Sequence, residues 1–222
     1  MSRKTTFVNL TLLSFLLGSI GVRAQTQSDD MPKFEVGAEL TSITKSDFIG
    51  RTTEPGIGGR FTYNLRKSIA LEGVGYFFPR KHQGGVLSDT NGNIAEGLFG
   101  VKAGKRLRTW GAFVKARPGF LSFSQGNSGY VATGTGGVFP FTLSHTRDTH
   151  FAFDVGAVIE FYPSKHIVTR FDAGDTFVHF GRHTSNFLSL APITGAFVLQ
   201  PLTRKAVTRQ SFQIAASVGF RF

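Results

Sequence analysis

Apolar and polar residues alternate with a period of two over eight stretches of the chain, as they do in strands that press one face against an apolar medium. The stretches run near Lys33 to Ser46, Gly56 to Leu65, Ile69 to Phe78, Ile94 to Leu107, Trp110 to Phe123, Phe151 to Tyr162, Ile167 to Phe180 and Ser211 to Phe222. The last is the plainest. In "SFQIAASVGFRF", Phe212, Ile214, Ala216, Val218, Phe220 and Phe222 alternate with Ser211, Gln213, Ala215, Ser217, Gly219 and Arg221. Soluble domains usually end in a frayed polar tail, so an apolar terminal strand calls for an apolar solvent.

The connections alternate as well. Arg66 to Ser68, Arg108 to Thr109 and Pro163 to His166 are short, whereas Asp47 to Pro55, Pro79 to Asn93, Ser124 to His150 and Gly181 to Gln210 are long. With an even number of strands, this interleaving puts both termini and every short turn at one end of a closed sheet, and every long loop at the other. The predicted fold is therefore all-β: a closed antiparallel transmembrane β-barrel of eight strands with short periplasmic turns and long extracellular loops. The long apolar-flecked segment "NFLSLAPITGAFVLQPL", Asn186 to Leu202, extends the sheet above the membrane or adds a hairpin that brings the count to ten.

Which face is apolar decides between this barrel and a soluble ligand-binding one, whose polar face would point outward. One face carries Phe34, Val36, Ala38 and Leu40, then Ile57, Phe61 and Leu65, then Phe151, Phe153, Val155, Ile159 and Phe161. The other carries seven acids, Glu35, Glu39, Glu72, Glu96, Asp154, Glu160 and Asp172, and seven bases, Arg60, Lys102, Arg106, Lys115, Arg117, Arg170 and Arg221. A basic side chain facing lipid at the bilayer midplane costs about 2 to 4 kcal/mol. Turned inward, balanced charges pair with one another. Eight strands leave an interior only wide enough for side chains to fill, so the expected lumen is plugged by its charges, with a small porin-like channel as the alternative.

The N-terminus agrees with export. Arg3 and Lys4 precede an apolar run from Phe7 to Val22, and Val22 and Ala24 are the small residues of a cleavage site after Ala24. This predicts a signal peptide at 1–24, a short polar leader at 25–32 and a barrel domain at 33–222. Composition points the same way, with 27 Gly and 24 Phe in 222 residues and no cysteine. Disulfides, thiolate metal sites and a lipoprotein anchor are thereby excluded. Cleavage would leave 22 bases against 14 acids, a net charge of +8, which suits an anionic surface.

At the level of pattern the whole mature chain resembles the small outer-membrane β-barrel proteins of Gram-negative bacteria, the OmpA transmembrane domain and OmpX among them. Locally the resemblance rests on "GVKAGKR" (Gly100 to Arg106), "FVKARPGF" (Phe113 to Phe120), "TRFDAGDTFVHF" (Thr169 to Phe180) and "SVGFRF". It implies an outer-membrane location, contact with outer-membrane lipids and lipopolysaccharide, a monomer, and assembly by the barrel-assembly machinery. That machinery would read Phe212, Ile214, Val218, Phe220 and Phe222 as its C-terminal signal. Phe220 and Phe222 match the aromatic pair; Ser217 and Ala215 depart from the usual glycine and polar residue.

Enzymatic chemistry has one foothold. "RHTSN" resembles the His-x-Ser-Asn element of outer-membrane lipid A 3-O-deacylases, which would make His183 the base, Ser185 the nucleophile and Asn186 an oxyanion donor. No Asp or Glu follows Asp175, so Asp172 or Asp175 would have to orient the imidazole. The expectation is accordingly a structural or interaction protein with no catalytic site. No metal or cofactor is expected, since His82, His145, His150, His166, His179 and His183 are scattered. The glycine-rich "ATGTGGV" lacks phosphate-loop spacing, and nothing forms a nucleic-acid module. The long loops carry bases with few acids, so Arg204, Lys205 and Arg209 are candidate contacts for lipopolysaccharide phosphates, beside a further extracellular ligand held by the loops.

Overall fold

The computed structural model describes residues 32–47, 50–79, 91–132, 141–190 and 197–222. The predicted signal peptide, nearly all of the leader, the loop bases Arg80, Lys81 and His82, and "ATGTGGV" beyond Ala132 lie outside them. The strands are β1 (Phe34–Asp47), β2 (Gly50–Arg66), β3 (Ile69–Phe78), β4 (Asn91–Arg106), β5 (Trp110–Ala132), β6 (Phe141–Phe161), β7 (Ile167–Phe180), β8 (His183–Leu190), β9 (Phe197–Arg204) and β10 (Val207–Arg221). Eight of them close an antiparallel barrel in the order β1-β10-β7-β6-β5-β4-β3-β2, and β8 and β9 form a separate two-stranded sheet. The chain thus has the predicted eight-stranded barrel together with the extra hairpin, which stands beside the barrel wall instead of entering it.

Strand pairing fixes the barrel's shape. Partners followed from Thr44 run through Phe212, Asp175, Val155, Ala116, Val101, Leu71 and Tyr63 and return to β1 at Phe34, ten residues away. A stagger of ten over eight strands, with the usual rise and strand spacing, tilts the strands by roughly 40° and gives a barrel about 8 Å in radius. That lumen holds side chains and little else.

The short turns are tied by backbone and hydroxyl groups. Leu107 donates its backbone N–H to Trp110 O at 2.8 Å across the β4–β5 turn. The Ser164 hydroxyl accepts from the backbone N–H of His166 (3.3 Å) and of Ile167 (3.1 Å) before β7, the local hydroxyl turn that serine favours. Both termini of the barrel lie at this turn end, where Phe34 and Phe222 exchange backbone hydrogen bonds.

At the opposite end the strands run further than the alternation predicts. Only residues 48–49 separate β1 from β2, so the connection expected over Asp47 to Pro55 is mostly strand. The loop expected over Ser124 to His150 is largely a hairpin: β5 has 23 residues and β6 has 21, where crossing a bilayer takes about 9 to 11. Beyond an irregularity between Phe123 and Asn127, the two strands pair again from Asn127↔Thr146 to Ala132↔Phe141. The polar, glycine-bearing sequence there has no apolar face to alternate, and period-two reading is blind to such strands.

Inside and outside are inverted relative to a soluble domain. Leu40, Ile57, Phe99, Val114, Phe151, Phe171, Val218 and Phe222 are exposed around the wall, while Glu35, Glu72, Lys102, Arg117, Asp154 and Arg170 are fully buried. An apolar surface of this extent far exceeds what a soluble monomer presents. It is the lipid-facing surface of a transmembrane barrel.

Candidate functional site

Two regions hold side chains arranged for a role: the lumen and the end away from the short turns. In the lumen each strand points every second residue inward, and the inward residues divide by height. Nearly all the lumen charges lie nearer the turn end, among a few buried apolar residues such as Phe113, Val158 and Val168. On β7 Val168 is followed by Arg170 and Asp172, then Thr176, Val178 and Phe180; on β3 Ala70 is followed by Glu72, then Val74, Tyr76 and Phe78; on β5 Phe113 is followed by Lys115 and Arg117, then Leu121 and Phe123.

The lower storey is an interlocked ion-pair network of six acids and six bases. The Arg60 guanidinium reaches Glu39 at 3.0 Å and Glu35 at 3.4 Å. Arg106 joins Glu35 (3.2 Å) to Glu160 (3.5 Å) and donates to the Tyr162 hydroxyl at 3.0 Å. Lys102 bridges Glu160 and Glu72, the latter at 3.3 Å. Arg170 grips Glu72 with both terminal nitrogens, one at 3.0 Å, and holds Asp172 at 2.6 Å. Lys115 joins Asp172 to Asp154, 3.0 Å away, and Arg117 closes on Asp154 at 2.7 Å. No side chain of the twelve is more than 9% exposed. Unpaired, any one of these charges would be costly at that depth.

Glycines on the inner wall make the space. A β-carbon on Gly156 would lie 2.8 Å from Lys115 Cε, and one on Gly58 would lie 2.3 Å from the Tyr76 ring, whose hydroxyl donates to Glu39. Two of the fourteen predicted lumen charges stand apart from the network. Glu96 accepts a hydrogen bond from the Gln213 amide at 3.0 Å, and that amide's oxygen accepts from Thr176 at 3.0 Å. Arg221 donates to the Ser164 carbonyl at 3.1 Å and packs over the Tyr162 ring at 4.4 Å. Neither makes an ion pair among the described residues.

Around the buried Glu96, Gln213 and Thr176 the upper storey is mostly apolar, which the charge pattern did not anticipate. Ile43, Tyr76, Phe78, Ile94, Leu98, Leu121, Phe123, Ala152, Val178 and Phe180 form one buried cluster inside the barrel. The rings of Phe123 and Phe180 lie 6.0 Å apart, and the His150 ring sits 4.4 Å from Phe180. Two cations cap it. Lys45 Nζ lies 5.4 Å from the Phe123 ring and the Arg209 guanidinium 5.3 Å from Phe180. Where "YFF" ends β3, both faces are apolar and alternation cannot tell lumen from lipid.

At the far end, alternation along β8 turns His183 and Ser185 to one face and Asn186 to the other. Asp172 is committed to Lys115 and Arg170 inside the barrel, and Asp175 faces outward five positions below the end of β7. Base, nucleophile, oxyanion donor and carboxylate are not brought together. Arg204 ends β9 opposite His183, Lys205 is exposed, and Arg209 is turned to the barrel mouth over Phe180. Of the terminal-strand signal residues, Phe212, Ile214, Val218, Phe220 and Phe222 all face outward and are at least 49% exposed. Among the described residues no group of His, Asp or Glu is placed to hold a metal ion.

No protein-family model and no curated protein matches the sequence. Solved structures do match. Neisserial surface protein A aligns over 86% of this chain and 97% of its own at 12% identity, with a TM-score of 0.52. The N-terminal β-barrel domain of Pseudomonas aeruginosa OprF gives 0.44 at 11% identity, over 85% of this chain and 97% of its own. Ail of Yersinia pestis gives 0.43 at 11%, over 85% and 96%. At such identity the likeness to the Neisserial protein is one of fold: this chain has the architecture of the small eight-stranded outer-membrane barrels, of the OmpA and OmpX kind.

Proposed function

We propose that the protein is an outer-membrane barrel of a Gram-negative bacterium with a structural or interaction role, displaying its β5–β6 and β8–β9 hairpins outside the cell and conducting nothing through its centre. The carrying observation is the two-storey lumen. Twelve paired charges fill the half nearer the turns and an aromatic-aliphatic cluster fills the other, which favours a plug over a water path. The apolar wall supports the membrane location, with the termini and short turns in the periplasm. Arg204 and Lys205, beside the outer end of the wall, suit contact with lipopolysaccharide phosphates.

The test has two stages. Expressed in a Gram-negative host, the protein should fractionate with outer membranes and migrate differently on detergent gels before and after heating; recovery as a soluble periplasmic protein would overturn the reading. Reconstituted in a planar bilayer, it should show no sustained conductance, and large stable channels would establish the porin-like alternative instead.

A further inference from the structure

The short-turn end of the barrel carries a charge of its own. Lys33 before β1, Arg66 and Lys67 at the β2–β3 turn, Lys105 and Arg108 at the β4–β5 turn, and Lys165 at the β6–β7 turn are all exposed. The strand order around the barrel sets these places at its four corners, the β1–β10 seam and the three turns, so bases surround the whole end. The acids at that level, Glu35 and Glu160, are buried in the lumen and paired there. Lys33, Arg66, Lys105, Arg108 and Lys165 make no ion pair among the described residues; the leader acids Asp29 and Asp30 lie outside them.

These bases stand at the edge of the lipid-facing wall. Only residues 67–68, 107–109 and 162–166 separate the strands joined there, too few to carry a side chain far from the bilayer. Next to them the wall ends in rings. Phe34 pairs in register with Tyr63 and Trp110 with Phe161, and Phe34, Trp110, Phe161 and Phe222 are exposed. Trp and Tyr mark the boundary between acyl chains and headgroups. A lysine or arginine beside such a girdle lays its stem along apolar surface and sets its charged head at the level of the lipid phosphates.

We propose that the turn end is a collar for anionic phospholipid, taking the phosphate diester of phosphatidylglycerol from the periplasmic leaflet. That headgroup brings one uncompensated negative charge to guanidinium and ammonium donors. Ethanolamine and choline headgroups carry a cation of their own, which cancels the charge and is repelled by the collar. The seven acids and seven bases of the lumen balance, so nothing behind the collar offsets it, and bases held together at a membrane surface attract anionic lipid jointly. Peptidoglycan, the other anionic surface on that side, would need bases that project past the headgroups, which turns of this length do not supply. The inference rests on the membrane reading above, which puts the short turns in the periplasm.

Trp110, the only tryptophan of the chain, opens β5 next to Arg108 and reports on this place. Purified protein is refolded into phosphatidylcholine vesicles containing a minority of phosphatidylglycerol or phosphatidylethanolamine, with bromine on the acyl chains of one lipid at a time, and quenching of Trp110 fluorescence is measured. The gel shift on heating reports insertion separately, so failure to insert counts against the membrane reading and quenching tests the collar. Brominated phosphatidylglycerol should quench several-fold more per mole than brominated phosphatidylcholine, the excess should shrink as salt is raised, and phosphatidylethanolamine should show none. K105Q/R108Q/K165Q should insert and lose the excess, whereas K105R/R108K/K165R, which keeps the charges, should retain it. Equal quenching by the lipids in the unaltered protein, an excess indifferent to salt or unchanged in the glutamine variant, or salt-sensitive sedimentation with peptidoglycan in place of the excess would each overturn the proposal.

Discussion

Phe34, which opens β1, and Phe222, which ends the chain, close the barrel on each other. Their backbones exchange two hydrogen bonds, at 2.9 and 3.0 Å, and their rings stack with centroids 5.8 Å apart. The row continues outward, with Phe61 on one side and Phe220 and His166 on the other. Each ring pair adds about 0.5 to 1.5 kcal/mol beyond burial, so the row staples the seam. Deleting Phe222, or replacing Phe34 by serine, should lower the heat-modifiable band several-fold in outer-membrane fractions. If the Phe222 deletion acts through an assembly signal alone, the Phe34 variant will assemble normally.

The lumen charges should differ sharply in what they contribute. Arg170 is buried against Glu72 and Asp172, so R170M leaves the network's six buried acids with five bases, one carboxylate charge uncompensated, and should destabilise the refolded barrel by about 3 to 5 kcal/mol. Glu96 has only an amide partner. E96Q should cost less than about 1 kcal/mol, and urea unfolding in detergent micelles compares the two directly.

The apolar storey should behave as a packed core. Phe123 and Phe180 are buried against one another, and F123A or F180A should each cost about 3 to 5 kcal/mol by the same unfolding measurement. Neither should open a conductance alone, because the charge network beneath remains complete. A double variant, F123A with R117M, tests whether both storeys must be breached before ions pass.

The outer end separates chemistry from contact. With Ser185 and Asn186 on opposite faces of β8, H183A and S185A should leave the acyl pattern of lipid A unchanged on mass spectrometry. Replacing Arg204 and Lys205 by glutamine should weaken co-purification with lipopolysaccharide, and the difference should shrink as salt is raised. Arg209, occupied with Phe180, should contribute less to that binding than either.

The transmembrane strands were legible in the sequence because two solvents act on them. Lipid on one side and a charged lumen on the other impose alternation, and β3 and β7 begin and end where the pattern says. The outer halves of β5 and β6 stand in one solvent on both faces, so Ser124 to Ala132 carries no periodic mark. The lower lumen was readable for a similar reason, since Glu72 and Arg170 stand out against apolar neighbours. Phe78, Phe123 and Phe180 do not: an inward phenylalanine and a lipid-facing one look alike until the register is known. Gln213 escaped notice because an isolated amide in a strand has many uses, and only its placement against Glu96 and Thr176 shows which one applies.

The division of the lumen into two storeys has an electrical consequence. An ion crossing from the turn end would first have to displace a fixed counter-charge, and then shed its water to pass between aromatic rings, where a narrow apolar constriction empties of liquid. These are two insulators in series with different breakdown conditions. Extremes of pH act on the first by titrating its charges, whereas the second is held by packing, which pH leaves unchanged. For the plugged barrel proposed above, a change of pH that weakens one of them would leave the other in place.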